Sequence, residues 1–455
     1  MKIAILKERR DSEKRVAASP DSVEKFIKMN CTVTVETGAG SDASISDDAF
    51  AKAGATIAKT PAETVKGADL ILKVSRPTDA EIGLFSKGQA LACHAHALTE
   101  TDLVAKLAAA GVTLFAMELV PRITRAQSMD ILSSQANMSG YKSVLDALEH
   151  YGRALPMMST AAGRVSPANV FVMGVGVAGL QAIATAKRLG AIVWATDVRP
   201  DTKEQVESLG GKFLAVENEE FLQAQTAGGY AKEMSDDYKR QQAALVAEKI
   251  KTMDIVITTA LIPGRPAPVL VTEDHVKSMK PGSVIVDLAV ETGGNCPLSE
   301  YGKVVTKHGV TLVGHANVPS RLAETTSQLF ARNLLNFLTP MIDKETGKLT
   351  IDTEDEVVRG TLVCRDGAVV HERLKDMAPK KAGSKKAAAK KAAGKKSGAK
   401  KAGAKKAGTK KAAAKKASAS PAPAAPAPAA PASSPASAPT SAPTSAPQQD
   451  EKKEG

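Results

Sequence analysis

The sequence predicts an α/β fold: two Rossmann-like lobes of parallel sheet with a cleft between them, followed by a disordered Lys/Ala/Pro-rich C-terminal tail. Three observations predict it. Short apolar runs alternate with helical patterns over most of the chain. A glycine-rich turn, Gly174-Val175-Gly176-Val177-Ala178-Gly179, opens a second such series. Beyond Pro379 the composition changes to lysine pairs, alanine and proline.

In the first series, Lys2–Leu6 reads as a strand, Pro20–Met29 as a helix and Thr32–Glu36 as a strand. Ser46–Ala53 reads as helical, Leu70–Val74 and Gln89–Cys93 as strands, Glu100–Ala110 as a helix and Thr113–Ala116 as a strand. Ser128–Tyr151 lacks proline and carries Met129, Leu132, Met138, Tyr141, Val144, Leu145 and Leu148 at helical spacing. It predicts one long helix between the lobes. The second series has strands at Asn169–Met173, Ala191–Thr196, Asp254–Thr259, Ser283–Leu288 and Thr311–Gly314. A helix over Glu324–Leu338 then returns the chain to the first lobe. The expected domains are 1–126 completed by 324–378, then 127–323, then the tail 379–455. A chain that leaves a domain and comes back creates a cleft, the usual place for a ligand.

The formal charge is +12, but it is unevenly placed. Lysine pairs recur every five residues from Lys380 to Lys416, and with Lys452 and Lys453 they outweigh Asp450, Glu451 and Glu454. The remainder is mildly acidic, so the globular region is not built as a nucleic-acid-binding face. The basic tail fits either a solvated appendage or a polycation for anionic lipid or nucleic acid. Four scattered cysteines without a C-x-x-C pair suggest free, packed thiols and a cytoplasmic chain. No run of 18 apolar residues is present, and MKIAILKERR lacks a signal-peptide core.

The glycine turn carries the chemistry. A strand precedes it, a helix over Leu180–Leu189 follows, and the next strand ends in Asp197. Gly174 permits the tight turn, Gly176 lets a pyrophosphate approach, and Gly179 lets helix and strand pack. The helix N-terminus, with Val177 and Ala178 in its first turn, supplies N–H groups for the phosphates. Asp197 stands where a carboxylate holds the adenosine ribose hydroxyls, which favours NAD(H) over NADP(H); nearby Arg199 blunts that preference. No metal set is expected.

Two more segments stand out. MELVPRITRAQSMDILSSQ is a polar loop entering the long helix. Arg122, Gln127, Asp130 and Ser133 there offer donors and acceptors without a nucleophile–base pair. Helix capping by Ser128 or Asp130 explains them equally well. GGYAKEMSDD interrupts the second lobe, and Tyr230 and Met234 are apolar enough to close over a ligand. An ordinary surface loop is the plain alternative.

Taken together, MELVPRITRAQSMDILSSQAN, GVGVAGLQAIATAKRLGA, ATDVRP, KEQVESLGGKF, GGYAKEMSD, TTALIPGRPAP and GSVIVDLAVETGGNCPL resemble one family. It is the NAD(H)-binding domain I of proton-translocating NAD(P)+ transhydrogenase, as found in the separate soluble portion of the alpha subunit in some bacteria. The resemblance covers residues 1 to about 375. It implies a homodimer that binds NAD(H) in the second lobe. It implies direct hydride transfer to NADP(H) on a membrane partner subunit, coupled to proton translocation there. The chain is then a peripheral protein on the inner face of the cytoplasmic membrane, catalytically incomplete alone. By the same match Arg122, Gln127 and Asp130 position the nicotinamide end as the catalytic set, with Ser133. Tyr230 and Met234 match the family's mobile loop, and Ala260 and Leu261 in TTALIPGRPAP join the expected cofactor contacts.

The sequence is also similar to alanine dehydrogenase, the alternative: an NAD-dependent amino-acid oxidoreductase. Arg15 in EKRVAASP, Lys73 in LILKVSRP and His96 in ACHAHALT are partial echoes of that family's catalytic features. Glu291 stands where its pattern has an aspartate. RITRAQSMD and GGYAKEMS do not match it.

Overall fold

The computed structural model describes residues 1–224, 234–262 and 264–375. The tail 379–455 and Tyr230 lie outside the described residues.

The first sheet has eight strands. From one edge they run Ala368–Val369, Leu362–Arg365, Thr113–Ala116, Ala90–His94, Leu70–Ser75, Lys2–Ile5, Thr32–Glu36 and Thr56–Ala58. The six central and N-terminal strands are parallel. Their side chains alternate between two cores. Ile3 and Ile5 face Phe26, Phe50 and Phe330, while Ala4 and Leu6 face Leu103 and Leu107. The last two strands come from the C-terminal end and pair antiparallel. The sequence reading has no strand there.

The second sheet has seven strands. Their order is Lys212–Phe213, Ile192–Thr196, Asn169–Met173, Ile255–Thr258, Val284–Asp287, Val310–Gly314 and Lys303–Lys307. Only the last pair among them is antiparallel. Lys303–Lys307 is a largely exposed edge strand with a lysine at each end, so it lacks the apolar run that marks its neighbours. The chain starts in the middle of this sheet, runs out to one edge, and crosses back beside its starting strand. The strands Asn169–Met173 and Ile255–Thr258 therefore flank the point where strand order reverses.

Two helices tie the lobes together. Ile131–His150 is a single 20-residue helix. Ile131 packs into the first lobe, whereas Val144 and Ala147 pack into the second. Ala323–Leu338 brings Phe330, Leu334 and Phe337 back into the first lobe, with Phe337 edge-on to Phe115 at 5.5 Å. At the seam, Lys14 N–H donates to Ser320 Oγ (2.6 Å) and Val16 N–H to Ser327 Oγ (3.0 Å). All four cysteines are buried and free. No helix among the described residues is long and apolar enough to cross a membrane.

Candidate functional site

The reversal point of the second sheet carries the glycine turn. Gly174 has a φ of +100°, and a Cβ there would lie 2.7 Å from Thr259 Oγ1 and 3.1 Å from the Ala260 nitrogen. Thr259 Oγ1 instead donates to the Gly174 carbonyl at 2.9 Å, tying the ends of the two diverging strands. A Cβ on Gly179 would sit 2.0 Å from the Gly174 oxygen, so the helix Val177–Arg188 packs against its own turn at glycine contact. Gly176 differs from both. Nothing lies within 4 Å of its Cβ direction, and it caps the helix with no side-chain hydrogen bond. The helix thus begins on an open surface with its first N–H groups free of a side-chain cap, an arrangement suited to an anion.

Asp197 follows the strand Ile192–Thr196, and its carboxylate is already engaged. Oδ2 accepts from Val175 N–H at 2.7 Å, and Oδ1 accepts from Arg199 N–H and Nε at 2.9 Å each. Arg199 Nη2 closes the fork on Oδ2 at 3.0 Å and also reaches the Val175 carbonyl. The hydrogen bond to Asp197 holds the Arg199 guanidinium above its ordinary pKa, against burial. The carboxylate therefore does not present a bare charge to a 2′-phosphate: the arginine two residues on matches its geometry and neutralises it. Arg199→Ala is expected to widen the ratio of NADH to NADPH affinity by about tenfold. Parallel fluorescence titrations read the ratio, and an unchanged value removes Arg199 from the selectivity argument.

The RITRAQSMD segment folds as a 3-10 turn, Thr124–Met129, rather than as the first turn of the long helix. Ala126 and Met129 anchor it in the first core. Gln127 and Arg122 are exposed, and Ser133 is half-buried. Asp130 caps the helix: Oδ1 accepts from Ser133 N–H at 3.0 Å and Oδ2 from Ser133 Oγ at 2.6 Å. The return helix pins the turn through Asn333 and Asn336, both donating to the Ser128 carbonyl, and Arg125 pairs with Asp355 at 2.8 Å.

Gly140 links this helix to the glycine turn. A Cβ there would lie 2.0 Å from the Ala178 oxygen, so the long helix touches the first turn of Val177–Arg188 backbone to backbone. Its place inside a helical run is the one sequence signal that could have found it. Ala260 and Leu261 follow Thr259 at the same strand ends, with Leu261 exposed. Met234 is buried in a small cluster with Phe221, Ala224 and Tyr238. No group of three or more His, Cys, Asp or Glu side chains able to hold a metal occurs among the described residues.

Comparisons with known proteins place the chain in a family. Residues 4–139 match the model described as alanine dehydrogenase/PNT, N-terminal domain, and residues 143–372 match the C-terminal domain. The chain is 60% identical over 379 residues to the first part of the NAD(P) transhydrogenase alpha subunit of Rhodospirillum rubrum, covering 82% of this chain and 99% of that protein. The chain belongs to the alanine dehydrogenase/PNT family. Among solved members of the family, a transhydrogenase from Sinorhizobium meliloti shares 52% identity at a TM-score of 0.75, covering 81% of this chain and all of that one. An L-alanine dehydrogenase structure shares 26% at a TM-score of 0.68, covering 83% and 98%.

Arg15, Lys73 and His96, the first-lobe residues that echo the dehydrogenase branch of this family, are all tied to neighbouring side chains. Lys73 Nζ is buried between Glu81 Oε1 at 2.8 Å and Glu8 Oε2 at 3.1 Å. Burial opposes its charge, but the two carboxylates outweigh it and hold the ammonium above its ordinary pKa. Arg15 forks onto Glu13 (2.8 and 2.6 Å) and also donates to Gln135 Oε1 (2.8 Å) and Asn317 Oδ1 (3.3 Å). His96 stacks on His94 with ring centroids 3.9 Å apart. Burial pushes the two rings down, His94 to about 4 and His96 to about 3. Glu291 accepts from the Asn317 backbone N–H. Lys73 and Arg15 are thus both paired with the protein's own carboxylates.

Glu13 gives this network a pH dependence. Burial acts against its charge, yet Arg15 and Ser75 hold the carboxyl down to about 2. A folded pKa depressed from about 4.5 contributes stability above that value, lost as pH falls towards about 2. About 2 kcal/mol should disappear between pH 4.5 and 3. Urea melts at the two values measure it; Glu13→Gln should flatten the slope, and an unaltered slope would refute the assignment.

Proposed function

We propose that this chain is the NAD(H)-binding component of a proton-translocating NAD(P) transhydrogenase, passing hydride directly between NAD(H) held here and NADP(H) held by a partner subunit. The observation that carries the reading is the 60% identity spanning nearly the whole of a relative named as a portion of the NAD(P) transhydrogenase alpha subunit. The crevice fits the cofactor. Its open Gly176 and uncapped helix N-terminus suit the pyrophosphate, and Asp197 with Arg199 suits the adenosine ribose. Bound there, the nicotinamide supplies the hydride acceptor or donor.

The chain's own role is binding, orientation and exclusion of water. Transfer between two nicotinamides needs no general acid or base; it needs the rings within about 3–3.5 Å. Arg122, Gln127 and Asp130, with Ser133, are the proposed positioners of the nicotinamide end, and Ala260 and Leu261 form the facing wall. Coupling to proton movement belongs to the membrane subunits, with this chain peripheral to them as a homodimer. The lysine-rich tail suits an anionic surface, lipid or nucleic acid.

Asp130→Asn separates positioning from capping, because asparagine caps a helix as well as aspartate does. The variant should keep its melting temperature and NADH affinity, while hydride transfer to an NAD analogue falls at least about tenfold. The decisive experiment mixes the chain with the NADP(H)-binding partner and follows reduction of an NAD analogue by NADPH. Transfer with the partner and none without it supports the reading. Turnover of pyruvate, ammonia and NADH by the lone chain overturns it.

A further inference from the structure

Beside the crevice a buried carboxamide holds one wall in place. The loop that follows the strand Val284–Asp287 passes through two glycines with positive φ, Gly293 and Gly294, and delivers Asn295 to a fully buried position. Its Oδ1 accepts from Ala260 N–H at 3.1 Å, and its Nδ2 donates to the Ala260 carbonyl at 2.9 Å and the Pro268 carbonyl at 2.7 Å. The side chain thus meets both backbone groups of Ala260, as a neighbouring strand would, and also spans to the far end of the same loop. Its own backbone carbonyl accepts from Leu270 and Val271 N–H.

Asn295 is in turn fixed. Asp287, also buried, accepts from the backbone N–H groups of Ala289, Asn295 and Cys296 at 3.0–3.2 Å, and from Thr258 Oγ1 at 3.2 Å. Gly294 is needed for this, since a Cβ there would lie 2.9 Å from Asp287 Oδ2. A continuous hydrogen-bonded chain therefore runs from the end of one strand, through Asn295, to the segment after the neighbouring strand. That segment touches the glycine turn through Thr259 and carries Leu261 and Ile262, 57% and 45% exposed. Large apolar side chains held out on a firmly anchored backbone need a reason. A flat, apolar-faced ligand beside the turn supplies one.

We infer that Asn295 is a positioning residue for the cofactor: it clamps Ala260 so that the 259–262 wall, with Leu261 and Ile262, is preformed against a ring of the dinucleotide. The inference rests on the NAD(H) reading above. Gln89 provides a matched control, being a buried carboxamide that makes three backbone hydrogen bonds in the first lobe, to Val65, Ala68 and Ser86. Asn295→Ala and Gln89→Ala in the full chain should lose similar melting temperature, about 5 °C each. Asn295→Ala alone should weaken NADH binding about tenfold and speed amide exchange at Thr259–Ile262 in the unliganded protein. Asn295→Asp keeps the acceptor for Ala260 N–H but loses both donors; it should show the same exchange and serves if the alanine variant does not fold. Wild-type NADH affinity with wild-type exchange in either folded variant overturns the inference. An unsubstituted chain that fails to bind NADH overturns the underlying reading instead, and with it this role.

Discussion

Gly140→Ala is expected to destabilise the protein and to weaken NADH binding at least about tenfold, although the residue lies in a helix interior outside the glycine turn. Helix propensity alone argues the other way, since alanine gains about 1 kcal/mol over glycine there. Contact geometry decides the sign. The new Cβ would meet the oxygen, carbonyl carbon and Cα of Ala178 at 2.0, 2.8 and 2.9 Å, all backbone atoms with no flexible end to give way. The helices must separate, and overpacking of this kind costs about 1–3 kcal/mol, which outweighs the propensity gain. Because Ala178 sits in the first turn of the helix that starts at Val177, the separation also displaces the N–H groups proposed for the pyrophosphate. Urea melts and NADH fluorescence titration test both halves. A variant more stable than the parent, with unchanged affinity, would sink the packing argument.

Lys73→Met should lower stability by about 3–5 kcal/mol, because it leaves Glu8 buried without its cation and Glu81 with only the longer contact to Arg9 at 3.4 Å. Burial already pushes the Glu8 carboxyl up, so it stands closest to losing its charge. Burial likewise opposes the charge of Glu81, but Lys73 and Thr78 hold it below the usual range. Converting all three groups together, as Lys73→Met with Glu8→Gln and Glu81→Gln, should recover much of the loss. The urea midpoint should fall in the single variant at an unchanged slope. A loss below about 1 kcal/mol would mean that Lys73 is not held as a structural ion, and would reopen a chemical role for it.

The central strands were legible because strands covered on both faces are continuous apolar runs, as in Ile255–Thr258 and Val284–Asp287. Edge strands were not. Thr56–Ala58 is exposed to half-buried and Ala368–Val369 is only two residues long, while Leu362–Arg365, one strand in from that edge, meets the rest of its sheet through Thr113–Ala116, far earlier in the chain. The long helix begins at Ile131 rather than Ser128, since Asp130 takes the cap and Ala126 and Met129 commit the preceding turn to the first core. At the candidate site, Asp197 could be read from its place after a strand, but its capture by Arg199 depends on a turn conformation. Gly140 and Asn295 owe their importance to a backbone oxygen and a carbonyl far away in sequence. No local pattern records such distances.

The closing of the first sheet by Leu362–Arg365 and its cover by Ala323–Leu338 set an order on biosynthesis. The strand that awaits this partner, Thr113–Ala116, leaves the ribosome long before the partner does. At about 5–20 residues per second the delay is on the order of 10–50 s. During that interval the apolar face that Phe330 and Phe337 complete is covered only by N-terminal residues such as Phe26 and Phe50, so its full burial waits for the last segment.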